Sequence, residues 1–204
     1  RLLTHTSGIA TQATLDNIIV GAPGAFEYAN LNYHLLGLVI QAVSGESYDY
    51  YMRKHVFEPL GMWDTTADLG RVTDLLTGHT VFFGKSVPWR MERFFPNGMN
   101  NEARWGNLSA GFVLSTAHDM GIYLQHYLNN GVPEVPDGGY RDGWFRDGDR
   151  IFHAGSLEGY SSLMMLFPKL GVGVVVLTNM QDYVGNTMAG LRIEAGIADI
   201  LAGR

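Results

Sequence analysis

Two tripeptides hold the side chains best suited to chemistry, Tyr28-Ala29-Asn30 and His153-Ala154-Gly155. A tyrosine hydroxyl titrates near pH ~10, so a tyrosine acting as a base at neutral pH needs a cation beside it to hold the phenolate. An imidazole titrates near ~6.5 and can accept, donate or carry a proton. Each residue also has a plain structural reading. Tyr28 alone is a packed aromatic with a satisfied hydroxyl, and Asn30 alone is a helix cap. His153 alone is a structural histidine on a strand, with Gly155 as a strand irregularity.

Other chemistries are excluded by spacing. Gly78 to Ser86 ends in Gly84-Lys85-Ser86, but five residues separate its glycines where a phosphate-binding loop requires four, and Phe82-Phe83 would fill the cradle. Asp137, Asp142, Asp147 and Asp149 lack the ligand spacing and closing Glu of a calcium loop and read as solvated turn residues. The seven histidines include no His-Glu-x-x-His, and His118 and His126 stand two helical turns apart, too far to share a metal. No Gly-x-Ser-x-Gly elbow occurs. With no cysteine there is no disulfide, thiolate zinc site or Cys nucleophile. The chain calls for no cofactor and no metal.

Composition narrows the partners. The 204 residues, 46% hydrophobic and 17% charged, are enough for a buried core and are not those of a disordered chain. A net charge of -6 argues against a nucleic-acid partner or an anionic membrane surface, and leaves a small-molecule ester, amide or peptide substrate open. The longest apolar runs, such as Leu35 to Ile40, are too short to span a bilayer. No signal peptide is visible.

The elements that must position the two tripeptides follow from periodicity. A loop-rich stretch from Gly8 to Gly24 precedes Tyr28. Leu35, Leu36, Val39, Ile40 and Val43 predict a helix over roughly 33–43, capped by Asn30 or Asn32 and stopped by Gly45. A second helix is predicted after Ser47, ending before Pro59. Between Arg71 and Arg104 the periodicity fades, which predicts a loop-dominated segment over a cleft. Thr116-x-x-Asp119 resembles a capping box and opens a helix through Leu128, ended by Gly131 and Pro133. A hairpin turn at Asp147-Gly148 and apolar strands over Ser161–Phe167 and Val172–Leu177 follow, with a last helix over roughly 186–201. Helices followed by an antiparallel meander and one helix make an α+β chain without βαβ alternation. The expected division is a helical, loop-rich subdomain over 1–138 and strands with a closing helix over 139–204, together one catalytic domain.

The motif order carries a resemblance. Leu2-Leu3-Thr4-His5-Thr6-Ser7-Gly8, Tyr28-Ala29-Asn30, Pro59-Leu60-Gly61-Met62, Ser109-Ala110-Gly111 and His153-Ala154-Gly155-Ser156 occur in one sequence. The last is followed by Gly159-Tyr160-Ser161-Ser162 and two strands. Together these strings resemble penicillin-binding proteins, class C β-lactamases and related esterases and peptidases, over nearly the whole chain. The resemblance implies the β-lactamase/penicillin-binding-protein-like fold, an antiparallel sheet flanked by helices beside a mostly helical subdomain, seen without its N-terminal part. It implies a serine hydrolase that forms an acyl-enzyme. Tyr28 would assist proton transfer from the nucleophile and to the leaving group, and Asn30 would orient a lysine and the substrate amide. His153, Gly155 and Ser156 would lie on an edge strand beside the substrate, with the Ser156 N–H as one arm of an oxyanion hole. His5 would fix a loop by hydrogen bonding rather than act as a catalyst.

Three departures qualify the resemblance. The nucleophile motif Ser-x-x-Lys is absent, and Lys54, Lys85 and Lys169 are not placed to replace its lysine. Either a segment of the same protein bearing it precedes Arg1, the reading favoured here, or the chain is an inactive binding protein that kept the cleft. The connection from Gly131 to Gly139 is shorter than the family's usual one. Ala154 has no hydroxyl and His153 stands where β-lactamases typically carry Lys, so an esterase or a D-specific peptidase is favoured over an efficient β-lactamase. Relatives are often exported, which makes an extracytoplasmic location the expectation by analogy.

Overall fold

The computed structural model describes residues 1–72, 74–83, 85–89 and 108–181, together with 196, 197 and 200. Helix α1 spans Asn30–Ser44 and ends at Gly45, whose φ of 72° supplies the left-handed cap. It starts earlier than the apolar stripe predicts, and neither asparagine caps it. Ala29, in extended conformation, is the N-cap, and its carbonyl accepts the Asn32 N–H at 3.1 Å. The buried face is also different. Leu31, Asn32, His34 and Gly37 turn inward, whereas Val39 and Val43 are exposed. Gly37 selects that face because a Cβ there would collide with Ser109, whose hydroxyl donates to the Tyr33 carbonyl at 2.9 Å.

Helix α2 (Tyr48–Met52) continues through a π-helical turn (Arg53–Phe57) into the short α3 (Glu58–Leu60). The chain thus stays helical past the predicted stop. Pro59 follows just after the π-helical turn, at the second residue of α3. Strands β1 (Gly78–Phe82) and β2 (Lys85–Trp89) form an antiparallel hairpin inside the stretch expected to be loop. Pro88 and the glycines hide this hairpin from a propensity reading. The structure tolerates the proline because β2 is the outer strand of its small sheet. The rest of the predicted loop, 90–104, lies outside the described residues.

After α4 (Leu108–Gly111), helix α5 (Ala117–Asn130) opens at Thr116, whose hydroxyl accepts the Asp119 N–H at 3.1 Å. Only that half of the capping box forms. The Asp119 carboxylate is buried and turns instead to the 64–65 loop, accepting the Asp64 N–H at 2.8 Å and the Thr65 hydroxyl at 2.7 Å. One residue, Asp119, therefore gives its N–H to the helix cap and uses its carboxylate to tie the helix to the segment after α3.

The second half of the chain is a five-stranded antiparallel sheet in the order β3 (Tyr140–Arg141), β4 (Trp144–Asp147), β5 (Arg150–Leu157), β6 (Tyr160–Phe167), β7 (Val172–Thr178). A two-residue turn at Gly148-Asp149 closes β4 onto β5, pairing Asp147 with Arg150. The α+β architecture read from the sequence is thus observed. The short strand β8 (Met180–Gln181) was not foreseen; it pairs in parallel with β1 and ties the 78–89 hairpin to the end of the meander. Of the predicted last helix, 196, 197 and 200 are described and helical. The remainder lies outside the described residues.

Helix α5 packs on the sheet through one core made of Leu124, Val135, Trp144, Ile151 and Leu166. A smaller cluster, Ile9, Ala13, Ala29 and Leu31, seats the start of α1 on the N-terminal loop. In that loop Gly8 has φ 86°, and a Cβ there would stand 2.5 Å from the Gly21 carbonyl oxygen. Gly8→Ala should therefore destabilise the protein by at least about 1–3 kcal/mol from backbone strain, with the contact adding to it. Urea unfolding of the variant checks this, and an unchanged midpoint would refute it.

Candidate active site

The site begins with the first eight residues. A 3-10 turn at Leu2–Thr4 delivers His5 in left-handed conformation, φ 51°. The strand-like run that follows lies against residues 20–27: Gly21 N–H donates to Gly8 O at 2.7 Å, Gly24 N–H to Thr6 O at 3.0 Å and Glu27 N–H to His5 O at 2.8 Å. This pairing presents Tyr28 to the sheet and buries Ala29 completely. The side chain of His5 completes the attachment, with Nδ1 accepting the Ala29 N–H at 3.1 Å. His5 does what the sequence reading expected of it and fixes this loop.

Tyr28 and His153, 125 residues apart, meet. The Tyr28 hydroxyl lies 3.5 Å from His153 Nε2, the outer limit of a hydrogen bond. Around them is an aromatic wall. The Tyr28 ring stacks on Phe145 at 6.2 Å with a 20° tilt, Phe145 stacks on Phe152 at 5.8 Å, and Tyr140 stands edge-on to Tyr28 at 5.9 Å. Burial raises the Tyr28 hydroxyl above its ordinary pKa. Burial also lowers the His153 imidazole below its ordinary value, against a smaller opposing effect of its hydrogen bond with the Ala154 backbone. At neutral pH both are neutral, so the phenol can donate to an unprotonated Nε2. A phenolate would need a cation, and the lysines of the chain are engaged or remote from this role. Lys54 pairs with Glu46, Lys169 with Asp149, and Lys85 is on the exposed strand β2.

The other three predicted residues are distributed around this pair. His153 and Gly155 share one face of β5, while Ala154 and Ser156 share the other. Gly155 is a regular strand residue opposite Ser162, not an irregularity. A Cβ there would come within 2.5 Å of the Ser162 hydroxyl, so a larger residue would force that side chain to turn. Strand β5 is an edge only in part. Its residues 150–152 pair with β4, and from His153 to Leu157 the side away from β6 has no strand opposite among the described residues. Alternate backbone N–H and C=O groups are open there to a substrate. Ser156 is exposed, and its hydroxyl accepts the Gln181 side-chain amide at 3.3 Å. Asn30 stands exposed at the first position of α1.

Two residues that sequence reasoning did not single out for the site hold it together. Asn32 is fully buried and joins the side chains of His5 and Ser7, at 3.0 and 2.6 Å. The signal was there as a polar residue on the first turn of an apolar helix, read as a cap. Gln181, also buried, accepts the Gly159 N–H at 3.2 Å while holding Ser156, so it braces the β5–β6 turn. Nothing in the Thr178–Gln181 run marks it out.

Among the described residues no group of three His, Asp or Glu side chains is placed to hold a metal, and no helix is long and apolar enough to cross a membrane. A cavity of about 510 Å³ opens away from the site, between Val132–Pro136 and Lys169. Its Arg141 and Arg146 donate to the Glu134 and Val135 carbonyls.

Known proteins share this fold. The octameric penicillin-binding protein homologue of Pyrococcus abyssi superimposes with a TM-score of 0.77 at 24% identity, over 100% of this chain and 55% of that one. The D-amino acid amidase of Ochrobactrum anthropi SV3, complexed with D-phenylalanine, gives 0.74 at 20% identity over 100% of this chain and 72% of its own. Protein flp of Staphylococcus aureus strain MW2 is 27% identical over 224 aligned positions, which take in 90% of this chain and 43% of flp. The chain thus spans less than half the length of that curated relative. A model of the Beta-lactamase family matches residues 1–196, nearly the whole chain. On that match, and on the fold it shares with these relatives, the chain belongs to the Beta-lactamase family.

Proposed function

We propose that this chain is part of a serine hydrolase that acts through an acyl-enzyme on a small ester or amide. The observation that carries the reading is the meeting of the Tyr28 hydroxyl and His153 Nε2 beside the open edge of β5. In the proposed reaction a serine hydroxyl from a Ser-x-x-Lys segment beyond these 204 residues attacks the carbonyl carbon. Its proton passes to the Tyr28 phenolate, held by the lysine of that segment, and from Tyr28 to the leaving group. Water then cleaves the acyl-enzyme and regenerates the serine. The open N–H groups of β5 next to Ser156 hold the oxyanion, and the ring wall of Tyr28, Phe145 and Phe152 favours an apolar acyl group.

The amide- and penicillin-related names of the structural neighbours support a substrate of this class. Ala154 offers no hydroxyl to a substrate carboxylate, which favours an esterase or a D-specific peptidase over a β-lactamase. A second reading, an inactive binding protein, is favoured by one fact, the absence of Ser-x-x-Lys from these residues. A fluorophosphonate probe applied to the protein with the upstream segment of its gene separates the two. Stoichiometric labelling, abolished by replacing the motif serine, is the expected result. A folded protein that takes up no probe is the binding module.

A further inference from the structure

The hydrogen bonds behind Tyr28-Ala29-Asn30 have directions that can be worked out atom by atom. A backbone nitrogen only donates, so the Ala29 N–H at 3.1 Å obliges His5 Nδ1 to be an acceptor. The imidazole therefore carries its proton on Nε2. The Asn32 atom 3.0 Å from the same Nδ1 must then be its amide nitrogen. That leaves Asn32 Oδ1 to accept the Ser7 hydroxyl at 2.6 Å, and Ser7 Oγ accepts the Ile9 N–H at 3.1 Å. The Ala29 N–H thus sets the sense of the whole relay. Its central members are sealed from water, His5 at 1% exposure and Asn32 and Ala29 at 0%.

The other side of the ring is boxed by aromatic groups. Tyr28, Tyr140, Tyr33 and Phe26 stand at centroid distances of 4.2, 4.6, 5.2 and 5.9 Å, and the buried Nε2–H has no hydrogen-bond acceptor among the described residues. We propose that His5 is the positioning residue for Tyr28, a latch closed by the neutral imidazole and opened by its protonation. A proton on Nδ1 would set N–H against N–H at both Ala29 and Asn32, so the charged ring and the closed relay are mutually exclusive. Tyr28 is covalently bonded to Ala29 and packed on the same ring, so opening the relay releases both restraints on it.

The titratable groups facing His5 are Tyr28 on the segment it holds, Tyr33 on α1, Tyr140 on β3 and His153 on β5, with Asp142 beside Tyr33 and Tyr140. Burial raises the three tyrosines, so they are neutral at physiological pH. Burial and the neighbouring His153 pull His5 down to about 4 from 6.5. The folded chain therefore binds fewer protons here than the unfolded chain. The contribution of the latch is complete above pH ~6.5 and is lost as pH falls through about 4.

The inference rests on the proposed role of Tyr28 for its consequence in turnover, but the latch is a property of this chain and is tested directly. In the protein labelled with ¹⁵N-histidine, the expected His5 signal is the Nε2–H tautomer, unprotonated at pH 6. On acidification the Tyr28 ring signals should move together with His5 protonation. His5→Asn keeps an acceptor oxygen near the Nδ1 position, and His5→Phe keeps the ring volume without an acceptor. Ala29 amide exchange should be about ten- to a hundredfold faster in His5→Phe, from the loss of a buried acceptor, and mostly restored in His5→Asn, with the amides of β6 unchanged in both. An Nδ1–H tautomer, titration near pH 6.5 without movement of Tyr28, or undiminished Ala29 protection in His5→Phe would each overturn the latch. If His5→Phe does not fold, the tautomer and the titration of the unmodified protein decide alone. A Tyr28→Phe enzyme with full turnover, alongside the expected His5 spectrum, would refute the catalytic reading and leave the latch standing.

Discussion

If the proposed function holds, Tyr28→Phe in the active enzyme should lower kcat by about two to four orders of magnitude, the range for removing a positioned proton-transfer group, with stability almost unchanged. The two halves of that expectation come from different observations. The ring of Tyr28 does the packing, on His5, Phe145 and Tyr140, and phenylalanine preserves it. The hydroxyl makes one long contact, 3.5 Å to His153, whose loss should cost well under ~1 kcal/mol. A group that contributes so little to the fold while sitting beside the open edge of β5 is free to serve chemistry. Turnover of a chromogenic ester with a thermal melt on the same sample reads both quantities. Loss of kcat accompanied by a large drop in melting temperature would mean that the hydroxyl is structural. An unchanged kcat would remove Tyr28 from the mechanism.

Trp144→Ala should cost about 3–5 kcal/mol, the range for emptying an aromatic site in a packed core. Trp144 is 1% exposed and is the largest of the fully buried side chains among the described residues. It lies on β4, packed with Leu124 of α5, Ile151 of β5 and Leu166 of β6, and it meets the Tyr127 ring edge-on at 5.3 Å. Neighbours drawn from one helix and two adjacent strands cannot all move inward, so the cavity stays open. A domain typically has about 5–15 kcal/mol to lose, so the variant keeps a small margin or none. Phe145, the next residue on β4, belongs to the wall of the site, so the site should loosen before the sheet melts. Urea denaturation of Trp144→Ala and Trp144→Phe measures the effect. Equal midpoints for Trp144→Ala and the unmodified protein would show that the core is not organised around this residue.

The sequence by itself determined the local elements and the order of the motifs. Gly45 stops α1, Thr116 caps α5, and the apolar runs of β6 and β7 lie within one residue of where the pattern puts them. Such signals are short-range: a cap, a positive φ or an alternation is written within a few residues of where it acts. The identity of Tyr28 and His153 as candidate residues was legible for a related reason, because each sits in a string of neighbours that resembles a known family.

Tertiary structure decided everything that depends on which distant segments meet. Only the folded chain shows that α1 buries Asn32 rather than Val39 and Val43, since that choice depends on Gly37 meeting Ser109 across 72 positions. The 78–89 hairpin gains a partner for β1 only from β8, about a hundred residues on. Gly155 faces a hydroxyl on the adjacent strand, and Ser156 is held by Gln181 from beyond the next one. The joining of the two tripeptides is the same kind of fact. The folded chain sets the Tyr28 hydroxyl 3.5 Å from His153, and no pattern local to either residue contains that distance.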